Sequence, residues 1–153
     1  MVEKVMSMTN MVPIEVLIID DNPADIRLVK EAIKDGRLII NLTSAEDGME
    51  AMAYLRKEAK YTSTTTPDLI LLDLNMPIKN GFEVLDEIKQ DPELKRIPVI
   101  IMTISKSEED VLKSYNLNAN AYIVKPVELN QFTEAIRSLE NFWFTIVKLP
   151  PKI

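Results

Sequence analysis

The amino-acid sequence predicts an α/β protein built on one parallel β-sheet with helices on both of its faces. Short aliphatic runs, too short for helices and rich in Ile and Val, recur along the chain and are typical of buried strands. Between them lie segments whose apolar residues recur at helical spacing. Regular alternation of the two predicts a parallel sheet with helical crossover connections. The chain has 153 residues, enough for one domain with one hydrophobic core.

Five strand-and-helix units can be placed along the sequence. Strands are predicted over residues 14–20, 37–43, 68–73, 98–102 and 121–124. Helices are predicted from Pro23 to Gly36, over 47–59, over 82–90, from about Ser107 to Asn116, and from about Glu128 onward. The expected caps of the first, second and fourth helices are Asn22, Asp47 and Ser107. Five strands joined by short connections predict a flavodoxin-like (βα)5, doubly wound sheet with right-handed crossovers and the strand order 2-1-3-4-5.

The composition excludes several classes of function. A net charge of −6 argues against nucleic acid as a partner, because phosphate binding needs a basic face. The absence of histidine and cysteine excludes Ser-His-Asp and Cys-His catalysis, Cys/His zinc sites and disulfides. No apolar stretch approaches the ~20 residues of a membrane span, and the first twelve residues are too polar for a signal peptide. We therefore expect a soluble cytoplasmic protein that binds neither nucleic acid nor membrane.

The two ends of the chain differ from its centre. Residues 1–12 are rich in Met and show no period, which predicts a flexible tail that Pro13 closes. Residues 13–141 are expected to form the domain. From Leu129 to Ile146 apolar residues recur in steps of three and four, which predicts an extended C-terminal helix that overhangs the domain. Residues 142–153 would then be a helical extension and tail.

Acidic side chains lie at the carboxyl ends of two predicted strands: Asp20 and Asp21 at the first, and Asp73 at the third. Thr103 and Lys125 take the same place on the fourth and fifth strands. Because the carboxyl ends of parallel strands meet at one edge of a sheet, these side chains are expected to converge. Close carboxylates repel one another, and Mg²⁺, which prefers oxygen ligands, would relieve the repulsion. The alternative is that each acid is an ordinary solvated turn residue.

The motifs IIDDNPAD, LLDLNMPIKNG, IIMT and AYIVKP, in this order, resemble the receiver domain of two-component response regulators. The resemblance covers residues 14 to about 140. It implies that Asp73 is the phosphoacceptor, whose carboxylate attacks a phosphohistidine and becomes an acyl phosphate. Since the chain contains no histidine, the donor must be a partner protein, a sensor histidine kinase.

The resemblance also implies roles for the residues around Asp73. The implied Mg²⁺ ligands are Asp20, Asp21, Asp73 and the backbone carbonyl of Asn75. Lys125 and Thr103 would bind the phosphoryl group, and Lys125 would balance its charge. Asn75 and Ser105 would flank the pocket and tune dephosphorylation.

A switch is implied by Thr103 and Tyr122. Thr103 would move to donate to a phosphoryl oxygen, and Tyr122 would rotate into the space that it leaves. The changed surface, formed by the fourth helix, the fifth strand and the fifth helix, would then be read by a partner. A plain edge-strand aromatic is the alternative for Tyr122. The resemblance further implies a cis peptide bond before Pro126, and Ile104 departs from the family, in which a small residue often follows the switch threonine.

The segment NFWFTIVKLPP resembles the tail of the stand-alone regulators that are paired with bacteriophytochromes and related hybrid kinases. Those proteins associate as dimers through this region, so Phe142, Trp143 and Phe144 are candidate contacts of a homodimer. The alternative is that these aromatics fold back over the edge of the sheet. Only VKLPPKI follows Ile146, so output by protein contact or onward phosphotransfer is expected.

The sequence thus predicts a single-domain, Mg²⁺-dependent response regulator that is not an enzyme. One rival is a small phosphohydrolase of the haloacid dehalogenase type, but the second Asp required two residues after the nucleophile is missing, because Asn22 follows Asp20 at that spacing and Asn75 follows Asp73. The other rival is a phosphorylation-independent, receiver-like interaction module. The joint presence of Asp73, Thr103 and Lys125 argues against that module.

Overall fold

The computed structural model of the chain describes residues 13–34, 39–125, 130, 131 and 134. Its centre is a five-stranded parallel sheet in the order β2-β1-β3-β4-β5, which confirms the predicted topology. The strands are β1 Ile14–Ile19, β2 Ile40–Ala45, β3 Leu69–Leu72, β4 Val99–Thr103 and β5 Ala121–Val124.

Helices connect the strands. They are α1 Pro23–Lys34, α2 Gly48–Leu55, α3 Gly81–Gln90 and α4 Glu108–Asn116, with a short 3₁₀-helix at Ala59–Tyr61. Asn130, Gln131 and Glu134 are helical and lie in the predicted fifth helix, whose other residues are outside the described part of the chain. No helix among the described residues is long and apolar enough to cross a membrane.

The core consists of two apolar layers, one on each face of the sheet. On β1 the side chains of Leu17 and Ile19 enter one layer, whereas those of Val16 and Ile18 enter the other. The first layer packs against α2 and α3, and the second packs against α1. Because both faces are covered, the central strands are apolar along their whole length, as expected of a parallel sheet.

Side-chain caps set where several helices begin. Asn80 and Glu83 form a reciprocal capping box at α3, since each side chain accepts a hydrogen bond from the backbone N–H of the other residue. The predicted caps Asp47 and Ser107 accept from the backbone N–H groups of Glu50 and Asp110. These caps place the helix starts at the edge of the sheet where the strands end.

The second strand lies later in the chain than predicted, at Ile40–Ala45 instead of residues 37–43. Its position is decided by pairing with β1, which runs from Ile14 opposite Ile40 to Ile19 opposite Ala45. Thr43 and Ser44 are tolerated because β2 is an edge strand with one unpaired side. A prediction from the apolar residues alone therefore placed this strand too early in the chain.

The second helix ends at Leu55 and not at residue 59 as predicted. A Schellman motif terminates it: the backbone N–H of Glu58 donates to the carbonyl of Ala53, and that of Lys57 donates to the carbonyl of Tyr54. Lys57 takes the left-handed conformation with φ of 57°, a place more often held by glycine. The missing glycine explains the missed helix end, and part of the predicted loop 59–67 forms the 3₁₀-helix.

Several predictions fall outside the described residues. They concern the tail 1–12, the helix end at Gly36, the peptide bond before Pro126, and the aromatic residues Phe142, Trp143 and Phe144. They stay predictions.

Candidate functional site

Three acids meet at the carboxyl edge of the sheet. Carboxylate oxygens of Asp20, Asp21 and Asp73 all lie within 4.8 Å of one another. Asp20 and Asp73 are 1% and 6% exposed, whereas Asp21 is exposed to solvent. Their backbones are held by the sheet, because the N–H of Asp73 donates to the carbonyl of Ile19 at 2.9 Å. The neighbouring positions of β1 and β3 thus bring together residues more than fifty positions apart in sequence.

The loop after Asp73 returns so closely that position 81 must be glycine. A Cβ atom on Gly81 would lie 2.3 Å from the backbone oxygen of Asp73 and 2.5 Å from the Cα of Leu74. The N–H of Gly81 donates to the carbonyl of Leu74 at 3.0 Å. The start of α3 is therefore packed directly on the backbone that carries Asp73.

Lys125 reaches into this cluster from the end of β5. Its Nζ lies 2.8 Å from Oδ2 of Asp20 and 3.5 Å from Oδ2 of Asp73. It is also 2.6 Å from Oδ2 of Asp25, the shortest of the three contacts. The lysine is 7% exposed, so these contacts are shielded from solvent.

Asp25 is the residue of the site that sequence reasoning missed. By its position alone it is an acid in the first turn of α1, where a negative charge interacts favourably with the helix dipole. Its position in the chain could have indicated that it lies at the site. A helix that begins immediately after the first strand has its first turn at the same edge of the sheet. The contact with Lys125 still required the fold, since the two residues lie 100 positions apart.

Burial sets the electrostatics of the site. It raises the pKa of the Asp20 carboxyl, against hydrogen bonds from Lys125 and from the backbone N–H of Asn22. Burial likewise raises the pKa of the Asp73 carboxyl, against the backbone N–H of Asn75 and the charge of Lys125. Burial alone would lower the pKa of the Lys125 ammonium, but its hydrogen bonds with Asp20 and Asp25 raise it overall.

The donor set suits a hard divalent cation. Lys125 supplies one positive charge against the four carboxyl groups of Asp20, Asp21, Asp25 and Asp73. Three of those carboxyl groups present oxygens close enough to share one ion, and the exposed side of Asp21 leaves room for water ligands. Oxygen ligands with retained water are what Mg²⁺ and related ions require.

Thr103 is fully buried at the end of β4. Its hydroxyl oxygen accepts a hydrogen bond from the side-chain amide of Asn75 at 3.2 Å. The backbone N–H of Asn75 in turn donates to Oδ1 of Asp73, also at 3.2 Å. Asn75 therefore links the acid to the hydroxyl, one through its backbone and the other through its side chain.

A second set of hydrogen bonds continues from Thr103 toward α4. The hydroxyl of Ser105 donates to the carboxylate of Asp110 at 2.6 Å, and the hydroxyl of Tyr122 donates to the carbonyl of Ser105 at 3.0 Å. Tyr122 is half-buried and packs against the core layer shared with α2 and α3. Ile104, which stands where the family often has a small residue, is 66% exposed.

Comparison with known proteins places this geometry in a family. Residues 16–137 match the response regulator receiver domain. Response regulator Rcp1 of Synechocystis sp. is 44% identical over 138 residues, which span 90% of this chain and 94% of Rcp1.

Solved structures agree with that match. The phosphorylated cyanobacterial phytochrome response regulator RcpA has a TM-score of 0.84 at 46% identity, with 92% of this chain and all of the RcpA chain covered. The Mn²⁺-bound form of Rcp1 has a TM-score of 0.82 at 44% identity, with 91% of this chain and all of that chain covered. Response regulator RPA3017 in red light signalling of R. palustris has a TM-score of 0.83 at 30% identity, with 92% and 100% covered.

The sequence match covers most of the chain, and the sheet order and the carboxyl-edge acids are those that the family resemblance implies. Receiver domains bind a divalent metal ion, which fits the donor set described above. The chain therefore belongs to the response regulator receiver domain family, and its single-domain relatives Rcp1 and RcpA are signalling proteins and not enzymes.

Proposed function

We propose that this protein is a switch in a two-component phosphorelay and that Asp73 accepts a phosphoryl group from a sensor histidine kinase. The observation that carries the proposal is the placement of Asp73, which is nearly buried, within 4.8 Å of two further acids and 3.5 Å from the ammonium of Lys125. A kinase of the phytochrome-like or hybrid type is the proposed donor, because RcpA is a phytochrome response regulator. Cytoplasmic action is part of the same proposal.

The transfer is a substitution at phosphorus. A carboxylate oxygen of Asp73 forms a bond to the phosphorus of a phosphohistidine while the P–N bond breaks. The electron pair of the P–N bond stays on the imidazole nitrogen. The product is an acyl phosphate on Asp73. The backbone N–H of Asn75, 3.2 Å from Oδ1, holds the carboxylate in orientation for this attack.

Positive charge is what the transferred group needs most. Lys125 would pair with a phosphoryl oxygen, for which its compact ammonium is suited. The residues proposed to hold Mg²⁺ are Asp20, Asp21, Asp73 and the backbone carbonyl of Asn75. A bound Mg²⁺ neutralises charge on the phosphoryl oxygens and so lowers the barrier to transfer.

Thr103 and Tyr122 are the proposed switch. The hydroxyl of Thr103 already accepts a hydrogen bond from Asn75, so its own hydrogen is available for a phosphoryl oxygen. A shift of Thr103 would act on Tyr122 through the loop carrying Ser105, which Tyr122 contacts at 3.0 Å. The surface of α4, β5 and the fifth helix would carry the change to a partner.

The test is labelling with a small acyl phosphate in the presence of Mg²⁺. Asp73→Asn should abolish labelling, since the amide is not a nucleophile, whereas Asp86→Asn, which alters an exposed acid of α3, should leave it unchanged. Undiminished labelling of the Asp73 variant would refute the assignment. A wild-type protein that takes no label yet binds its partner would instead be the phosphorylation-independent interaction module.

We further propose that residues 13–141 form the receiver and that residues 142–153 extend its last helix into a homodimer contact. The support is the sequence NFWFTIVKLPP, which places Phe142, Trp143 and Phe144 together on an apolar stretch. Trp143→Ala should shift the protein toward monomer in sedimentation velocity. An unchanged sedimentation coefficient would place the dimer contact elsewhere. The control is Tyr115→Phe, which changes an exposed aromatic residue of α4 and should leave the sedimentation coefficient unchanged.

A further inference from the structure

The ion pair between Lys125 and Asp25 has no place in the function proposed so far. Its Nζ to Oδ2 distance of 2.6 Å is shorter than the 2.8 Å to Asp20 and much shorter than the 3.5 Å to Asp73. The ammonium is therefore drawn toward α1 and away from the proposed phosphoacceptor. The Asp25 side chain is 21% exposed, so most of it is removed from solvent together with the lysine.

A role in capping α1 does not account for this carboxylate. The start of α1 is capped by Asn22, whose Oδ1 accepts from the backbone N–H of Ala24 at 2.9 Å and whose carbonyl accepts from the N–H groups of Asp25 and Ile26. The Asp25 side chain instead accepts a hydrogen bond from the ammonium of Lys125. An acid in a first helical turn interacts with the helix dipole without needing a lysine from another strand.

The three acids around Lys125 differ in one respect. Asp20 and Asp73 are proposed metal ligands, and Asp25 is not a member of the cluster of close carboxylate oxygens. A cation at that cluster and the ammonium of Lys125 would compete for the same oxygens of Asp20 and Asp73, because like charges repel and each carboxylate has few free lone pairs. Asp25 offers Lys125 a partner that the metal does not use.

We propose that Asp25 is a positioning residue that retains the Lys125 ammonium beside the pocket while a divalent cation takes over the carboxylates of Asp20 and Asp73, the first of which Lys125 contacts at 2.8 Å in this structure. The inference rests on the proposed function, because it takes Asp20, Asp21 and Asp73 as metal ligands. In an Asp25→Asn variant the acidic partners that Lys125 keeps, among the residues that the structure describes, are the proposed metal ligands Asp20 and Asp73, and the lysine then opposes binding of the ion. The amide also removes one nearby negative charge, so a test must separate the two effects.

A double-mutant cycle between Asp25 and Lys125 separates them, with Mg²⁺ affinity measured by calorimetric titration of the full chain. Asp25→Asn should weaken Mg²⁺ binding about 10-fold, a size typical of directly coupled charged pairs. In the Lys125→Met background the same substitution should weaken it by only about 2-fold, since the lysine that competes with the ion is gone and only long-range attraction is lost.

Two control variants test whether the loss of any negative charge on α1 would have the same effect. Glu31→Gln removes a charge from the same helix at an exposed site paired with Lys34, and it should change Mg²⁺ affinity by less than about 2-fold, because exposed charges are screened. Asp25→Glu keeps the carboxylate and should retain most of the affinity. Thermal unfolding followed by circular dichroism, without Mg²⁺, checks that each variant is folded.

The proposal is overturned if Asp25→Asn weakens Mg²⁺ binding no more than Glu31→Gln, or if its effect is the same with and without Lys125. These outcomes are distinct from failure of the proposed function. A protein that shows the coupling but takes no phosphoryl label on Asp73 would keep the role of Asp25 and lose the phosphorelay. A protein that is labelled on Asp73 but shows an additive cycle would lose only the role of Asp25.

Discussion

At the scale of single residues, the site depends on buried polar groups that each have a partner. Tyr122 is an example, because its ring packs against the core while its hydroxyl donates to the carbonyl of Ser105 at 3.0 Å. Because a buried tyrosine hydroxyl usually needs a hydrogen-bond partner, a rotation of the ring would have to give up this one. This requirement fits the switch role proposed for Tyr122. The contribution of its hydrogen bond with Ser105 to stability can be measured.

Tyr122→Phe should lower the free energy of unfolding by about 1 kcal/mol, since it removes one partly buried hydrogen bond and leaves the ring in place. Urea denaturation measures this loss. Tyr115→Phe is the control, because the Tyr115 side chain is 46% exposed on α4. Loss of a hydroxyl that faces water should change the free energy of unfolding little. Equal stability of the wild type and the Tyr122 variant would mean that the hydrogen bond contributes nothing net.

The role of Asp73 as an acid at the end of a strand was predictable, whereas the pairing of Lys125 with Asp25 was not. Asp73 follows LILL directly, and any residue in that position reaches the carboxyl edge of the sheet. Three acids lie around Lys125, and their distances from its ammonium depend on side-chain packing that no sequence pattern encodes.

At the scale of elements, close packing of the start of α3 on β3 determines where Asp73 is held. Gly81 makes that approach possible, because any Cβ at this position meets the backbone of Asp73 and Leu74. The capping box of Asn80 and Glu83 then fixes the first turn of α3 at the same point. The position of Asp73 therefore depends on where α3 begins.

Gly81→Ala should destabilise the protein by about 1–3 kcal/mol and slow labelling of Asp73, because the backbone must move to accept the added carbon. Chemical denaturation and labelling with a small acyl phosphate are the two measurements. Asn80→Ala provides the comparison, since it removes the cap at a cost of about 1 kcal/mol without a clash against Asp73. If the Gly81 variant labelled at the wild-type rate, the close approach would not position the acid.

Errors in the predicted elements have different physical causes. The end of α2 was missed because Lys57 adopts the left-handed conformation that glycine usually signals. The place of β2 was missed because an edge strand takes its register from its neighbour, and β1 pairs it as far as Ala45. A tertiary contact therefore outweighed local preference in β2, whereas α2 ends in a local motif that lacks its usual glycine. Elements with strong caps, such as α4 after Ser107, were placed correctly.

At the scale of the whole molecule, the parallel sheet concentrates acidic charge at one edge. Asp20, Asp21, Asp25 and Asp73 lie there with Lys125, in a chain whose net charge is −6. Burial raises the pKa of both Asp20 and Asp73, which means that ionisation of these carboxyl groups is less favourable in the folded protein than in water. A divalent ion at this edge should therefore stabilise the fold as a whole.

Mg²⁺ at about 100 times its dissociation constant should add about 2.7 kcal/mol to the free energy of unfolding, since it binds the folded chain. Thermal unfolding with and without MgCl2, at constant ionic strength, measures the gain as a higher Tm. Asp73→Asn should reduce the gain because a ligand is lost, whereas Asp86→Asn should keep it. A Tm that does not respond to Mg²⁺ would exclude specific binding at the acid cluster.

The sequence by itself determined the fold class, the order of the strands and, apart from Asp25, the set of residues that meet at the carboxyl edge. These follow from periodicity and from the fact that parallel strands end on one side, which are properties of the backbone. The end of α2 is set by local backbone hydrogen bonds around Lys57, which takes a conformation that its residue type does not signal. Only the tertiary structure decided the register of β2 and the partner of Lys125. Those depend on contacts between groups far apart in the chain, such as Lys125 and Asp25, whose distance is set by the packing of α1 and β5 around the same edge.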